Sequence, residues 1–130
     1  YKRQKQIRSY LMEIFKVANQ GLHQTVKIRH KHHFAQIYVL TIDCMRYLDQ
    51  MAASNVSDSP ATAEQIIVLN ILKSRFFRKV QQIFEISDTT LKVLQTRPLR
   101  RNQNNRWRYG VIRSRASKIV KLLQTGSLKN

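Results

Sequence analysis

The stretch Phe34-Ala35-Gln36-Ile37-Tyr38-Val39-Leu40-Thr41-Ile42-Asp43-Cys44-Met45-Arg46-Tyr47-Leu48 decides how the rest of the chain is read. Phe34, Ile37, Tyr38, Thr41, Met45 and Leu48 recur at the spacing of one helix face, and Leu40 and Cys44 widen the stripe. No proline or glycine interrupts residues 22–53, so the pattern predicts one long helix, or two with a bend near His30, His32 and His33. Upstream, Ile7, Tyr10, Leu11, Ile14, Phe15 and Ala18 predict a helix over residues 4–19, with Gly21 as its left-handed C-cap. Downstream, Ala53 to Pro60 reads as a loop in which Ser59 caps the next helix and Pro60 takes its first position. Ile66, Leu69, Phe76, Phe77, Val80, Ile83 and Phe84 carry that third helix to Ile86, where Ser87-Asp88-Thr89 breaks it or lets it run on to Gln95. Arg97-Pro98 ends helical structure, since the residue before proline disfavours αR. Residues 97–107 are polar, Arg-rich and Asn-rich and read as a loop. A final helix is expected over 108–124 through Val111, Ile112, Ala116, Ile119, Val120 and Leu123. There is no strand pattern and no internal repeat. Four helices with short connections imply antiparallel neighbours, hence an all-α, up-and-down four-helix bundle. It is expected as a single helical domain over residues 1–130, with a basic arm at residues 1–5.

The charge is the outstanding feature of the composition. The 130 residues hold 24 Lys plus Arg against 7 Asp plus Glu, a formal net charge of +17. Residues 1–33 carry a net +7, residues 34–88 a net −1, and residues 89–130 a net +11 without one carboxylate. Solubility alone calls for interspersed signs, because like charges repel and destabilise the compact state. The asymmetry therefore points to a polyanionic partner. Arg outnumbers Lys in the last block, and guanidinium offers planar, bidentate contacts to phosphate, which favours nucleic acid over a membrane surface. No apolar run approaches the ~20 residues needed to span a bilayer, and no membrane partner is expected. The chain opens at Tyr1 with no signal-peptide pattern, so it reads as a fragment or processed form of an intracellular protein.

Catalytic motifs are missing from the pattern. His23, His30, His32 and His33 invite a metal reading, but only His30 and His33 share a helix face, and Asp43 and Cys44 lie about three turns away. Cys44, the single cysteine, reads as a buried, inert thiol on the apolar face. Neither a paired-carboxylate arrangement nor a glycine-rich phosphate loop nor a nucleophile elbow is present. No enzyme, metal or cofactor is expected. The candidate binding residues lie in three clusters. The first is Arg97, Arg100, Arg101, Arg106, Trp107 and Arg108, continued by Arg113, Arg115 and Lys118. Here cations take phosphates, and Trp107 or Tyr109 either stacks on an unpaired base or caps the core. The second is Lys73, Arg75, Arg78 and Lys79, and the third is Arg29 with Lys31.

Two resemblances bear on the partner. The run from Gln81 to Leu94 resembles the helix-turn-helix of winged DNA-binding proteins of the excisionase and mercury-regulator kind, with residues 97–109 as the wing. Gln81 stands where that motif packs a small residue, and Glu85 where it turns on glycine. Over more of the chain, Ile7-Arg8-Ser9-Tyr10-Leu11, Arg29-His30-Lys31, Ala52-Ala53-Ser54-Asn55 and Leu72 to Arg78 resemble the accessory variability proteins of diversity-generating retroelements. These are relatives of the small proteins encoded within ribosomal-RNA intervening sequences. That second resemblance implies a four-helix, non-enzymatic protein that forms a ring-like homopentamer with a basic surface, associated with a reverse transcriptase and its template RNA. The expected function is thus nucleic-acid binding, RNA favoured over DNA, as an accessory subunit of a ribonucleoprotein. An alternative is a helical subunit whose basic faces dock an acidic protein.

Overall fold

A computed structural model describes residues 2–54, 60–96 and 99–125, with backbone alone for residues 2 and 99–103. Four helices form: α1 (Lys2–Gln24), α2 (Ile28–Ser54), α3 (Ala63–Gln95) and α4 (Leu99–Gln124). Each packs on two neighbours, α1 on α2 and α4, and α3 on α2 and α4, while the diagonal pairs stay apart. Register is read from cross-helix contacts. Arg8 meets Asp49 and Phe15 meets Tyr38 between α1 and α2. Lys79 meets Asp43 between α2 and α3, and Arg113 meets Asp88 between α3 and α4. Glu13 meets Arg115 and Gln24 meets Arg108 between α1 and α4. One number falls as the other rises between α1 and α2 and between α1 and α4. The same holds between α3 and α4, where Leu94 also meets Arg106, and between α2 and α3, where Thr89 and Thr90 share a cleft with His30 and His33, so all four neighbours run antiparallel. This is the all-α, up-and-down four-helix bundle that the periodicity predicts.

The core is the sum of the four apolar stripes. Ile7, Leu11, Ile14 and Ala18 of α1 face Phe34, Ile37, Cys44 and Leu48 of α2, and Phe76, Val80 and Ile83 of α3 close over Tyr109, Ile112, Ala116 and Ile119 of α4. Three buried hydroxyls in this interior are satisfied locally. Thr41, Ser87 and Thr90 return their hydroxyl protons to carbonyls one turn back, at Ile37, Ile83 and Ile86.

Several boundaries differ from the expectation. α1 does not stop at Asn19 but runs through Gly21 to Gln24, and a Cβ on Gly21 would meet the Phe34 ring at 2.7 Å. Gly21 is there for close approach of two helices, not as a C-cap. The basic arm at residues 1–5 is helical from Lys2 onward, and Tyr1 lies outside the described residues. Lys, Arg and Gln are good helix formers, and Ile7 and Leu11 anchor the turn that follows. α3 begins at Ala63, capped by Thr62 rather than by Ser59. The Thr62 hydroxyl accepts from the Gln65 N–H, and the Gln65 side chain accepts from the Thr62 N–H. Ser59 itself lies outside the described residues.

α3 also passes through residues 81–94 without a turn. The helix-turn-helix resemblance therefore fails: its turn is continuous helix, with Ile83, Leu91 and Leu94 on the core side. Residues 99–107, expected as a loop and as the wing, are the first turns of α4. Arg106 shows why that segment is helical without an apolar stripe. Its guanidinium Nε and Nη2 both donate to the Leu94 carbonyl, tying the start of α4 to the end of α3.

Candidate nucleic-acid interface

The antiparallel register does to the charge what the linear sequence conceals. Residues 14–42 and residues 89–130 contain no Asp or Glu. The fold brings the C-terminus of α1, the N-terminus of α2, the C-terminus of α3 and the N-terminus of α4 to one end of the bundle. Both carboxylate-free stretches therefore meet there. Lys27, Arg29, Lys31, Lys92, Arg106 and Arg108 converge with His23, His30, His32 and His33. The nearest acid along α3 is Asp88, whose carboxyl is held below the usual range by its bond to Lys92 and then by Arg113.

A cleft of about 410 Å³ opens at this end between α2 and α3. Lys27, Arg29, His30, His33, Thr89, Thr90, Val93 and Leu94 line it. Lys27 stands at the N-cap of α2, its carbonyl accepting from the Lys31 N–H at 3.1 Å. An ammonium cannot accept a hydrogen bond, so the Lys27 side chain supplies no capping oxygen to the first turn. The first turn of α2 holds no acid, and neither does that of α4. Lys27 and Arg29 lie at the positive end of the α2 dipole, where an anion is the favoured occupant.

The floor of this end is a polar network around one buried ring. Tyr109 is fully buried and stacks on Phe34 with centroids 4.6 Å apart and 11° between planes. Its hydroxyl lies 2.9 Å from His30 Nδ1 and 3.4 Å from His33 Nδ1. A hydroxyl donates once, so when it donates to one of these imidazoles the other must present an N–H to it. Burial pushes the Tyr109 phenol well above its ordinary value, and the ring stays neutral. His33 is pushed the other way: burial, then Arg29, then His32 lower it and favour the neutral imidazole.

The expected site residues fall into separate groups. Arg29 and Lys31 are exposed at the cationic end, and so is Trp107, 58% accessible. Trp107 begins an outward stripe on α4 with Gly110, Ser114 and Lys118. A Cβ on Gly110 would touch nothing within 4 Å, which leaves open space beside the indole. Tyr109 is the core cap, so of these two aromatics it is Trp107 that is available to stack.

Arg108 is 6% exposed, its donors on Asn105 and Gln24, and Arg106 bonds Leu94. Both serve helix C-termini, where a cation is welcome. Arg113 and Arg115 are paired with Asp88 and Glu13, and Lys118 lies over the Tyr10 ring at 5.7 Å. Lys73, Arg75, Arg78 and Lys79 sit on the other half of α3, with Lys79 against Asp43 at 3.8 Å, apart from the cationic end. Arg97 lies outside the described residues. Arg100 and Arg101 belong to the first turn of α4, with side chains that are not described.

Sequence reasoning omitted Lys27, His33, Thr89 and Thr90 from the site. The signal that finds them is the pair of carboxylate-free stretches, once antiparallel packing is imposed on them. Among the described residues no three His, Cys, Asp or Glu side chains gather as a metal site, and no helix is long and apolar enough to cross a membrane. Cys44 is buried, its thiol pushed up to about 12 by burial and then by Asp43.

The fold and this end define the chain as a four-helix bundle with one carboxylate-free, cationic end. Beyond that class, no family model, no curated protein and no solved structure matches it.

Proposed function

We propose that the protein binds nucleic acid, RNA in preference to DNA, through the cationic end of the bundle, and acts as a non-enzymatic accessory subunit of a ribonucleoprotein. One observation carries the reading: two long carboxylate-free stretches, far apart in sequence, meet at one end of the bundle, where neither α2 nor α4 has an acid in its first turn. Backbone phosphates meet Lys27, Arg29 and Lys31 and the α2 first-turn N–H groups. Trp107 offers its exposed face to an unpaired base. The resemblance to retroelement accessory proteins makes a reverse transcriptase the polymerase partner to test first.

The test is an equilibrium titration of matched fluorescent single-stranded RNA, duplex RNA and duplex DNA at several salt concentrations. About six phosphate contacts give a log–log salt slope near −4 for a single strand. Arg29→Glu with Lys31→Glu should weaken binding by about tenfold or more. Arg115→Gln should change it little, because Glu13 already neutralises that cation. Trp107→Ala should cost about 1–3 kcal/mol on single-stranded RNA and less on a duplex. A slope near zero, or equal losses from the Arg29/Lys31 pair and from Arg115, would overturn the proposal. Preference for one duplex DNA would overturn the choice of RNA.

A further inference from the structure

The end of the bundle away from the cationic cleft carries a surface of a different kind. α3 is the longest helix, 33 residues against 27 in α2 and 26 in α4. Carrying the α2–α3 register forward from the Asp43–Lys79 pair brings Ser54 level with about residue 68 of α3. Carrying the α3–α4 register forward from Asp88–Arg113 brings Gln124 level with about residue 77. The first three turns of α3 thus extend past the last described turn of α4. They are apolar almost all round: Ile66, Ile67, Val68 and Ile71 are 50%, 58%, 51% and 44% exposed, while Leu72 turns into the core. A helix that is hydrophobic on every side is normally a buried one.

Helical spacing sorts these side chains. Glu64, Ile67, Val68, Ile71, Arg75 and Arg78 fall on one outward stripe, about 130° around the helix from the buried line of Leu72, Phe76 and Val80. Glu64 and Arg75 are both exposed, and neither makes an ion pair among the described residues. The order along the stripe is one acid, three apolar residues and two bases. That order is self-complementary when two copies meet antiparallel.

We propose that a second copy of this chain covers the stripe, forming a two-fold symmetric dimer through the N-terminal turns of α3. With the two helices crossing between Val68 and Ile71, Val68 of one copy packs on Ile71 of the other. Glu64 of each copy meets Arg75 of the other, twice by symmetry. Nucleic acid fits the stripe poorly, because its centre is aliphatic and Glu64 repels phosphate. The contact spans about three helical turns, which is below the standard size of a stable protein interface, so a dissociation constant in the micromolar range is expected. The geometry holds the two cationic ends outward, with the α3 C-termini about 75 Å apart.

Sedimentation equilibrium of the full chain between 1 and 300 μM, on the order of the expected dissociation constant, tests this directly. Mass should rise with concentration toward twice the 15.4 kDa of one chain. Ile71→Glu should hold it at one chain, with circular dichroism unchanged. Glu64→Arg and Arg75→Glu should each weaken association severalfold, and the double exchange should restore it. A monomer throughout the range would overturn the proposal. So would association that survives Ile71→Glu, or a double exchange that recovers nothing. None of these results depends on RNA binding, which is read separately by the titration above.

Discussion

Gly21→Ala and Gly110→Ala make the same chemical change within two helices, in the last turn of α1 and the middle of α4, and should move stability in opposite directions. Replacing a mid-helix glycine by alanine normally gains about 0.5–1 kcal/mol, because the unfolded chain loses freedom it no longer has to surrender. At Gly110 nothing lies within 4 Å of the new methyl, so that gain should appear in full. At Gly21 the methyl would sit 2.7 Å from Phe34 Cδ2 and Cε2 and 2.8 Å from Cγ. Those are ring atoms of a side chain with no exposure, stacked on Tyr109 with centroids 4.6 Å apart. The ring cannot rotate away without breaking that stack, so α1 and α2 must move apart. Overpacking of this kind costs about 1–3 kcal/mol. The propensity gain is common to both variants, so the difference between them isolates the steric cost at about 1–3 kcal/mol. Urea denaturation followed by circular dichroism measures it, and in thermal melts each kcal/mol corresponds to about 3–5 °C for a chain of this size. Equal stability of the two variants would refute the close approach of α1 and α2 at Gly21.

Two further outcomes follow from the buried groups. His33 is lowered in the folded state by burial, Arg29 and His32, so between its folded value and the ordinary 6.5 the unfolded chain binds the extra proton. Stability should therefore fall as pH drops from 7 through 6.5 and below. His33→Gln should flatten that part of the profile, and a parallel profile in the variant would remove His33 as its source. Cys44, buried and with its thiol pushed up to about 12, should not react with an aromatic disulfide reagent at pH 8 in the folded protein and should react fully in denaturant. Stoichiometric labelling with the helical signal intact would contradict the packing of α2.

What was legible in the sequence is what apolar periodicity can report. Phe34, Ile37, Thr41 and Leu48 point inward as their spacing requires, and so do Ile112, Ala116 and Ile119. Periodicity is silent where a helix is held by polar contacts. The start of α4 is fixed by Arg106 on the Leu94 carbonyl and by the Thr25 hydroxyl donating to Asn105 Oδ1 at 3.2 Å, so its sequence looked like a loop. Gly21 misled for a related reason: its meaning lies in Phe34, thirteen positions on, and no local rule sees that contact. The cationic end was half legible. Its arginines stood out, but Arg106 and Arg108 turn out to brace helix ends, while Lys27 and His33 join the cleft only through the pairing of α2 with α3.

That division among the cations bears on why the end is built as it is. The C-termini of α1 and α3 arrive with negative dipole ends, and Arg108 and Arg106 sit against them, which lowers the energy of the folded chain. The N-termini of α2 and α4 arrive beside them with positive dipole ends. Stability alone would place Asp, Glu, Ser or Thr there, as Thr62 and Glu64 are placed at the start of α3. Instead Lys27, Arg29 and Lys31 surround the start of α2, and Arg100 and Arg101 open α4. Each such cation costs about 0.3–1 kcal/mol relative to an anion in the same place. The sequence therefore follows the capping rules at the start of α3, and departs from them at the starts of α2, beside the cleft, and α4, at the same end of the bundle. Local rules are broken together mainly at sites that serve something other than stability. Under the proposed function a bound polyanion would remove the conflict at both helix ends at once, which is the physical reason for proposing this end, rather than the basic start of α1, as the binding surface.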